Sequence, residues 1–196
     1  MTGPGGITRY VAFRPGILVL GRSVLAVIHA MGRYAVLAEN ALARQGIKSV
    51  QPDGWYPQQA FLNAFREVAF EIGENTLFVM GKKVPDLAEL PPAITTIEEA
   101  LAGIDAAYHA SHRDAEGPLL DPATGALREG IGHYAFRRDG PRSGVMVCHT
   151  PYPSDFDRGI VAGVARKFRA DATVALDESK PTRKRGDDSC SYLIAW

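Results

Sequence analysis

Two histidines near the middle of the chain are the residues whose type and spacing best suit metal chemistry. His109 and His112 stand three positions apart at the end of a helical pattern, so both imidazoles can face one site. Imidazole nitrogens ligate metal ions and haem iron. Alternatively, His109 faces solvent and His112 caps the helix end, where positive charge is favoured. Two histidines are too few for a tetrahedral site, so no metal site is assigned and haem stays open.

A second chemical candidate is the adjacent pair Cys148 and His149 on a predicted strand. Adjacent strand residues point to opposite faces, so this pair cannot form a simple nucleophile–base dyad. We therefore interpret Cys148 as a buried structural thiol. The usual nucleotide, zinc and serine-hydrolase motifs are absent from the sequence: it contains no Walker loop, H-E-x-x-H, C-x-x-C or G-x-S-x-G. No catalytic residue is predicted, and the sequence favours a protein that is not an enzyme.

Composition narrows the function classes further. The chain has 196 residues, 46% of them hydrophobic, and its 22 basic and 22 acidic side chains give a net charge of zero. We expect a single domain over 1–196, with 1–8 flexible. A neutral chain attracts nucleic acid weakly, and no apolar run reaches the length of a membrane span. Two cysteines and the lack of a signal-like start favour a cytoplasmic protein.

The first half of the chain has helical periodicity. Apolar residues recur at steps of three and four over 23–45, which predicts one helix or, because Gly32 interrupts it, two shorter ones. Gly46 is expected to end this segment in a left-handed conformation. Two further helices are predicted, one that includes 61–72 and one over 74–84.

The clearest helix start lies at Thr96. Thr96 and Glu99 have the spacing of a capping box, and the apolar stripe that follows runs as far as His112. After it, the segment 114–130 is rich in Gly, Pro and Asp. We predict a long loop there, either mobile or acting as a lid.

The last third of the chain changes to alternating apolar and polar residues. A helix over 154–168, with Ser154 as its N-cap, interrupts the strands. The predicted fold class is α+β: a helical N-terminal half packed on an antiparallel sheet of about four strands, crossed by one helix. The four predicted strands are 132–138, 145–150, 172–177 and 189–196.

The end of the sequence resembles a known family. The pattern Gly186-Asp187-x-x-Cys190-x-Tyr192 resembles the closing Gly-Asp-Pro-x-Cys-x-Phe hairpin of bacterial 4-vinyl-reductase domains, and 157–163 resembles the helix that precedes it. Those domains share a superfamily with haem nitric-oxide-binding domains and TRAPP vesicle-tethering subunits. The resemblance implies a fold that binds a small apolar molecule, a tetrapyrrole or an acyl chain between helices and sheet, and that often dimerises.

Two departures from the family patterns bear on cofactors. Zinc-binding members of the family carry a second cysteine before the Gly-Asp turn, where this chain has Thr182, so the comparison with the family argues against zinc at Cys190. Haem-binding members use a helical histidine and a Tyr-x-Ser-x-Arg clamp. This sequence lacks that clamp, so haem would depend on His109 or His112.

The leading hypothesis is therefore a noncatalytic sensor domain that binds a small apolar molecule between helices and sheet. The expected ligand-binding residues combine aromatic side chains with the two histidines: Phe61, Phe65, Phe78, Tyr108, His109, His112, Tyr134 and Phe136. Such a domain is expected to form a homodimer and to signal through a separate protein.

Two alternatives remain. One is a haem- or tetrapyrrole-binding protein or enzyme that uses His109 or His112 as axial ligand. The other is a structural dimerisation module, in which Gly159 and Gly163 allow two helices to approach closely.

Overall fold

Helices and short strands alternate along the described residues, 10–87 and 91–196 of the computed structural model. The stretch 1–8, predicted to be flexible, lies outside them. In chain order the elements are β1 (Leu18–Leu20), α1 (Gly21–Ala30), α2 (Ala35–Arg44), β2 (Trp55–Pro57), α3 (Gln58–Ile72), α4 (Glu74–Lys83), α5 (Ile97–Ala110), β3 (His112–Asp114), β4 (Gly117–Pro118), β5 (His133–Gly140), β6 (Ser143–His149), α6 (Ser154–Phe168), β7 (Thr173–Leu176) and β8 (Cys190–Ala195).

The strands form two antiparallel sheets. The second sheet, in the order β5-β6-β8-β7, confirms the predicted α+β fold and its four strands. The first sheet, in the order β2-β1-β3-β4, was not predicted. Its strands have two or three residues each, too few for an alternating pattern to stand out.

The helices follow their sequence signals closely. Gly32 has a φ of 55° and lies in a short 3-10 turn between α1 and α2, which confirms the two-helix alternative for 23–45. Gly46 has a φ of 85°, and the Ile47 N–H then donates to the Leu42 carbonyl at 2.9 Å, the bond that closes a helix after a left-handed residue.

The starts of α5 and α6 differ from each other. The Glu99 N–H donates to Thr96 Oγ1 at 3.2 Å, and Glu99 Oε2 accepts from the Thr96 N–H at 3.0 Å, which confirms the capping box. The predicted N-cap at Ser154 is wrong, because Pro153 occupies that position and Ser154 is the first helical residue. Ser154 Oγ instead accepts from the Cys190 thiol at 3.2 Å.

Three glycines allow α4 and α6 to cross in close contact. A Cβ atom at Gly159 would lie 2.4 Å from the Phe78 carbonyl oxygen, one at Gly163 2.4 Å from that of Lys82, and one at Gly81 2.1 Å from that of Phe156. Gly159 and Gly163 therefore pack against a helix of their own chain. They do not supply the surface on which the structural-dimer alternative depends.

The segment 114–130 contains regular structure and is not a continuous loop. It begins with the β3–β4 hairpin, and Leu119 behind that hairpin is fully buried. Asp114 accepts hydrogen bonds from Arg14 and Arg128 and thereby ties the segment to the N-terminal part of the chain. Leu120 and Leu127 add an antiparallel bridge.

Candidate functional site

A small polar group lies inside an aromatic interior between the helices and the end of β6. We call Gln58, His112 and Tyr152 the interior site. Gln58 is the first residue of α3, His112 is the first of β3, and Tyr152 precedes α6; all three are buried. His112 Nε2 lies 3.1 Å from the Tyr152 hydroxyl and 3.3 Å from Gln58 Nε2.

Hydrogen bonding fixes the protonation of His112. Its Nδ1 lies 2.8 Å from the Tyr108 carbonyl oxygen, which can only accept, so Nδ1 carries the proton. Nε2 then keeps its lone pair and accepts from Tyr152. Burial lowers the pKa of His112 to about 4, and the neutral ring therefore prevails near neutral pH. The alternative that His112 caps the helix as a cation is wrong, although its ring does bond the last helical turn.

Aromatic rings surround the interior site. The predicted residues Phe61, Phe65 and Tyr108 come together there. Sequence reasoning did not select two of their partners, Tyr152 and Phe156. The Tyr152 ring lies 6.2 Å from those of Phe61, Tyr108 and Phe156, and the Phe65 and Phe156 rings meet edge-on at 4.9 Å. Such edge-to-face contacts stabilise a closely packed interior.

Two other predicted residues lie elsewhere. Phe78 is on α4, where the Arg158 guanidinium stacks over its ring at 4.4 Å. Phe136 is half-buried on β5 and packs on the core of the second sheet. Tyr134 borders the interior site: its ring meets that of Tyr108 at 5.3 Å.

A buried ion pair forms one wall of the interior site. Arg183 and Asp157 are both fully buried, 2.7 Å apart. Arg183 Nη1 also donates to the backbone carbonyls of Thr150 and Tyr152 at 2.7 Å, and the Tyr134 hydroxyl donates to Asp157 at 2.6 Å. Arg183 is the first of three consecutive basic residues, a pattern typical of a solvated turn, yet its side chain is fully buried. Its carboxylate partner lies 26 positions earlier in the sequence, so no local signal marks it.

The two cysteines have the structural roles that the strand pattern predicted. Cys148 and Cys190 are fully buried and face each other across β6 and β8. Burial raises the pKa of the Cys148 thiol well above its usual value, which excludes an activated nucleophile. Thr182 Oγ1 lies 3.4 Å from Cys190 Sγ, within hydrogen-bond distance.

A second polar group lies where α5 meets the start of β5. We call Asp105, His109, His133 and Glu129 the carboxylate site. His133 Nδ1 lies 2.9 Å from Asp105 Oδ2, and His133 Nε2 lies 3.1 Å from Glu129 Oε2. His109 is fully buried, so the alternative that it faces solvent is wrong. Its Nδ1 lies 2.8 Å from the Asp105 carbonyl oxygen, and its Nε2 has no hydrogen-bond partner in the part of the chain that the structure describes.

Asp105 and His133 of the carboxylate site each stabilise the charged form of the other. Burial raises the pKa of Asp105, but hydrogen bonds from His109, His133 and the Tyr134 N–H more than offset this and leave the pKa lowered. Burial lowers the pKa of His133, but Asp105 and Glu129 outweigh it and leave that pKa raised. The site therefore favours an ionised Asp105 beside a protonated His133.

The helical interior is tightly filled. A cavity of about 10 Å³ lies among α1 to α4 and is lined by apolar side chains that include Phe61 and Phe65. That volume holds about one water molecule. A larger open groove of about 460 Å³ runs past Thr96, Arg142 and Trp196, away from every predicted ligand-binding residue.

Comparisons with known proteins show similarity in structure. No family model matches the chain, and no curated protein matches its sequence. An oxygen-binding H-NOX domain related to soluble guanylate cyclases superposes with a TM-score of 0.59 at 14% identity, over 88% of this chain and 92% of that one. An H-NOX protein from K. algicida, in its unliganded Fe(II) form, superposes with a TM-score of 0.61 at 12% identity, over 90% and 95%.

A third structure, solved in a study of haem redox potential and porphyrin distortion, gives a TM-score of 0.59 at 15% identity over 88% and 92%. No helix among residues 10–87 and 91–196 is long and apolar enough to cross a membrane. The likeness covers 88–90% of this chain and therefore extends well beyond the last third, where the C-terminal motif lies. This chain has the H-NOX fold.

Proposed function

We propose that this chain is a sensor-type domain that binds haem in its interior, with His112 as the protein ligand to the iron. The similar structures support the class of ligand, because one was solved in a study of haem redox potential, one binds oxygen and one is in its Fe(II) form. The observation that carries the proposal is the state of His112. It is a buried, neutral imidazole whose Nδ1 is fixed by a carbonyl and whose Nε2 lone pair faces the interior site.

The donor chemistry of the interior site fits haem. Imidazoles that ligate a metal generally use one nitrogen and donate the other N–H to a carbonyl or carboxylate, as His112 does to Tyr108. Haem would supply an iron atom with a coordination position for a small gas. The Tyr152 hydroxyl and the Gln58 amide would then lose His112 as their partner and could bond elsewhere in the interior.

The cavity in the helical interior is too small to hold haem without a rearrangement of side chains. Sites for cofactor-sized ligands occupy about 300–1,000 Å³, against about 10 Å³ in the helical interior. Haem uptake therefore requires the aromatic side chains around Tyr152 to move, with Phe61, Phe65 and Phe156 foremost. We expect uptake to be slow, because it is coupled to that repacking.

The second candidate function is the binding of a small organic molecule, in place of haem, at the same interior site. Gln58 Oε1 is a buried acceptor with no hydrogen-bond partner within 10–87 and 91–196, and leaving such an atom unpaired is costly. A small apolar molecule with one hydroxyl or amine could satisfy it while it contacts the aromatic rings. This candidate retains the sensor function predicted from the sequence.

Titration with haemin separates the two candidates. We expect one equivalent to bind and to give a Soret band, and we expect His112→Ala to change that spectrum and added imidazole to restore it. His109→Gln, which changes the neighbouring histidine, should leave the spectrum unchanged. Failure to bind haemin stoichiometrically, or a Soret spectrum of His112→Ala identical to that of the unmodified chain, would overturn the haem proposal. Native mass spectrometry of the purified protein for a bound organic molecule then tests the second candidate.

A further inference from the structure

The carboxylate site contains a set of metal-type ligands that the interior site does not use. One ligand atom from each of Asp105, His109 and His133 can be chosen so that all three lie within 4.8 Å of one another. Asp105 and His109 stand one helical turn apart on α5, and His133 is the first residue of β5. The helix and the strand pack together, so the cluster lies on two packed elements rather than on a mobile loop.

Neighbouring groups hold two of these ligands in place. Glu129 lies at hydrogen-bond distance from Nε2 of His133, the nitrogen that points away from Asp105. The Tyr134 N–H donates to Asp105 Oδ1 at 3.0 Å and fixes that carboxylate. A carboxylate behind a ligating histidine is a common supporting arrangement in metal sites, because it sets the orientation and basicity of the ring.

His109 gives an independent indication that the site is incomplete. Its ring is fully buried beside His133, with the ring centres 5.0 Å apart, and its Nε2 has no partner among the described residues. A buried ring nitrogen without a partner is unfavourable. Rotation of the side chain would bring a nitrogen of the His109 ring to an ion beside Asp105.

We propose that Asp105, His109 and His133 bind one divalent first-row transition-metal ion of the zinc type. Two imidazoles and a carboxylate are a ligand set that zinc and non-haem iron use. Ligand atoms around tetrahedral zinc lie about 3.4 Å apart, so the side chains must close in by rotation. Three protein ligands leave a further coordination position. The His133 and Asp105 side chains, 33% and 18% exposed, connect the site to solvent.

This site differs from a zinc site at Cys190, where the sequence lacks a second cysteine. His109 and His112 alone are too few for a tetrahedral metal site. The fold supplies the missing members, because it brings His133 to Asp105 from 28 positions away.

Calorimetric titration of EDTA-treated, haem-free protein with Zn²⁺ tests the proposal. We expect one zinc per chain, and Co²⁺ in its place should give the absorption bands of a four- or five-coordinate site. His133→Ala should weaken binding by at least about 100-fold, and Glu129→Gln by about tenfold, as found for supporting residues. His29→Ala, which removes an exposed histidine on α1, is the matched control and should bind zinc as the unmodified chain does.

Circular dichroism confirms that each variant is folded. Absence of saturable one-site binding, or equal affinity in His133→Ala and in the unmodified chain, would overturn the proposal and leave the cluster as a hydrogen-bonded group. Neither result depends on haem, because the interior site and His112 are unchanged in every variant.

Discussion

His109 and His112 stand three residues apart and share one local arrangement, yet they belong to sites of opposite character. Each ring bonds the carbonyl four residues before it at 2.8 Å through Nδ1. Beyond that bond, His112 meets the neutral groups of the interior site, whereas His109 lies against carboxylates and His133. Burial lowers the pKa of His112, and the carboxylates raise that of His133. The surroundings, more than the residue type, decide which histidine can carry charge.

The ion pair of Asp157 and Arg183 encloses the interior site and so preserves the neutral surroundings of His112. We predict that Asp157→Asn lowers the free energy of unfolding by about 3–5 kcal/mol, because it leaves the Arg183 charge buried without its partner. Urea unfolding measures the loss. The zinc affinity of the carboxylate site should stay the same, since Asp157 is not among its ligands.

Asp53→Asn is the matched control for that experiment. Asp53 pairs with Arg22 on the surface, where both side chains are mostly exposed, and its loss should leave the unfolding midpoint unchanged. If Asp157→Asn were as stable as this control, the buried ion pair would not stabilise the interior site.

The second prediction concerns the acid sensitivity of the interior site. The unfolded chain protonates His112 near pH 6.5, but the folded chain does so only near pH 4. The unfolded state therefore binds more protons between these values, and stability falls as the pH is lowered through that window. His112 should account for about 3 kcal/mol of that fall.

A comparison with His112→Gln isolates this contribution. Other groups titrate equally in both proteins, so the difference in unfolding free energy between pH 7 and pH 4 should shrink by about 3 kcal/mol in the variant. Parallel curves for the two proteins would show that His112 titrates normally and is not enclosed as described.

The fold could be predicted where the signal is local. Helical periodicity, Gly32, Gly46 and the Thr96 capping box each act within one or two turns, and the structure confirms them. The first sheet could not be predicted, because strands of two or three residues show no period. Their pairing depends on contacts between distant segments, such as Val19 with His112.

In the candidate sites too, only the residues with a local sequence signal could be predicted. The sequence indicated His109 and His112, since their spacing is local. It did not indicate Gln58, Tyr152 or the role of Arg183, because nothing near them in sequence distinguishes a buried polar residue from an exposed one. Gly186 did mark the turn that follows Arg183, with a φ of 92°.

The smallest predicted effect tests the carboxylate site and has the opposite sign. Because the folded-state pKa of His133 is raised, its pairing with Asp105 and Glu129 stabilises the fold fully below the unfolded pKa near 6.5. That stabilisation is lost as the pH rises through the folded pKa. A third of the side chain is exposed, so solvent screening keeps the effect below about 1 kcal/mol.

Nuclear magnetic resonance titration should place the pKa of His133 above 6.5 in metal-free protein, and Glu129→Gln should lower that pKa. A pKa at or below 6.5 would mean that desolvation outweighs the carboxylates, and the contrast between the two histidine sites would then fail.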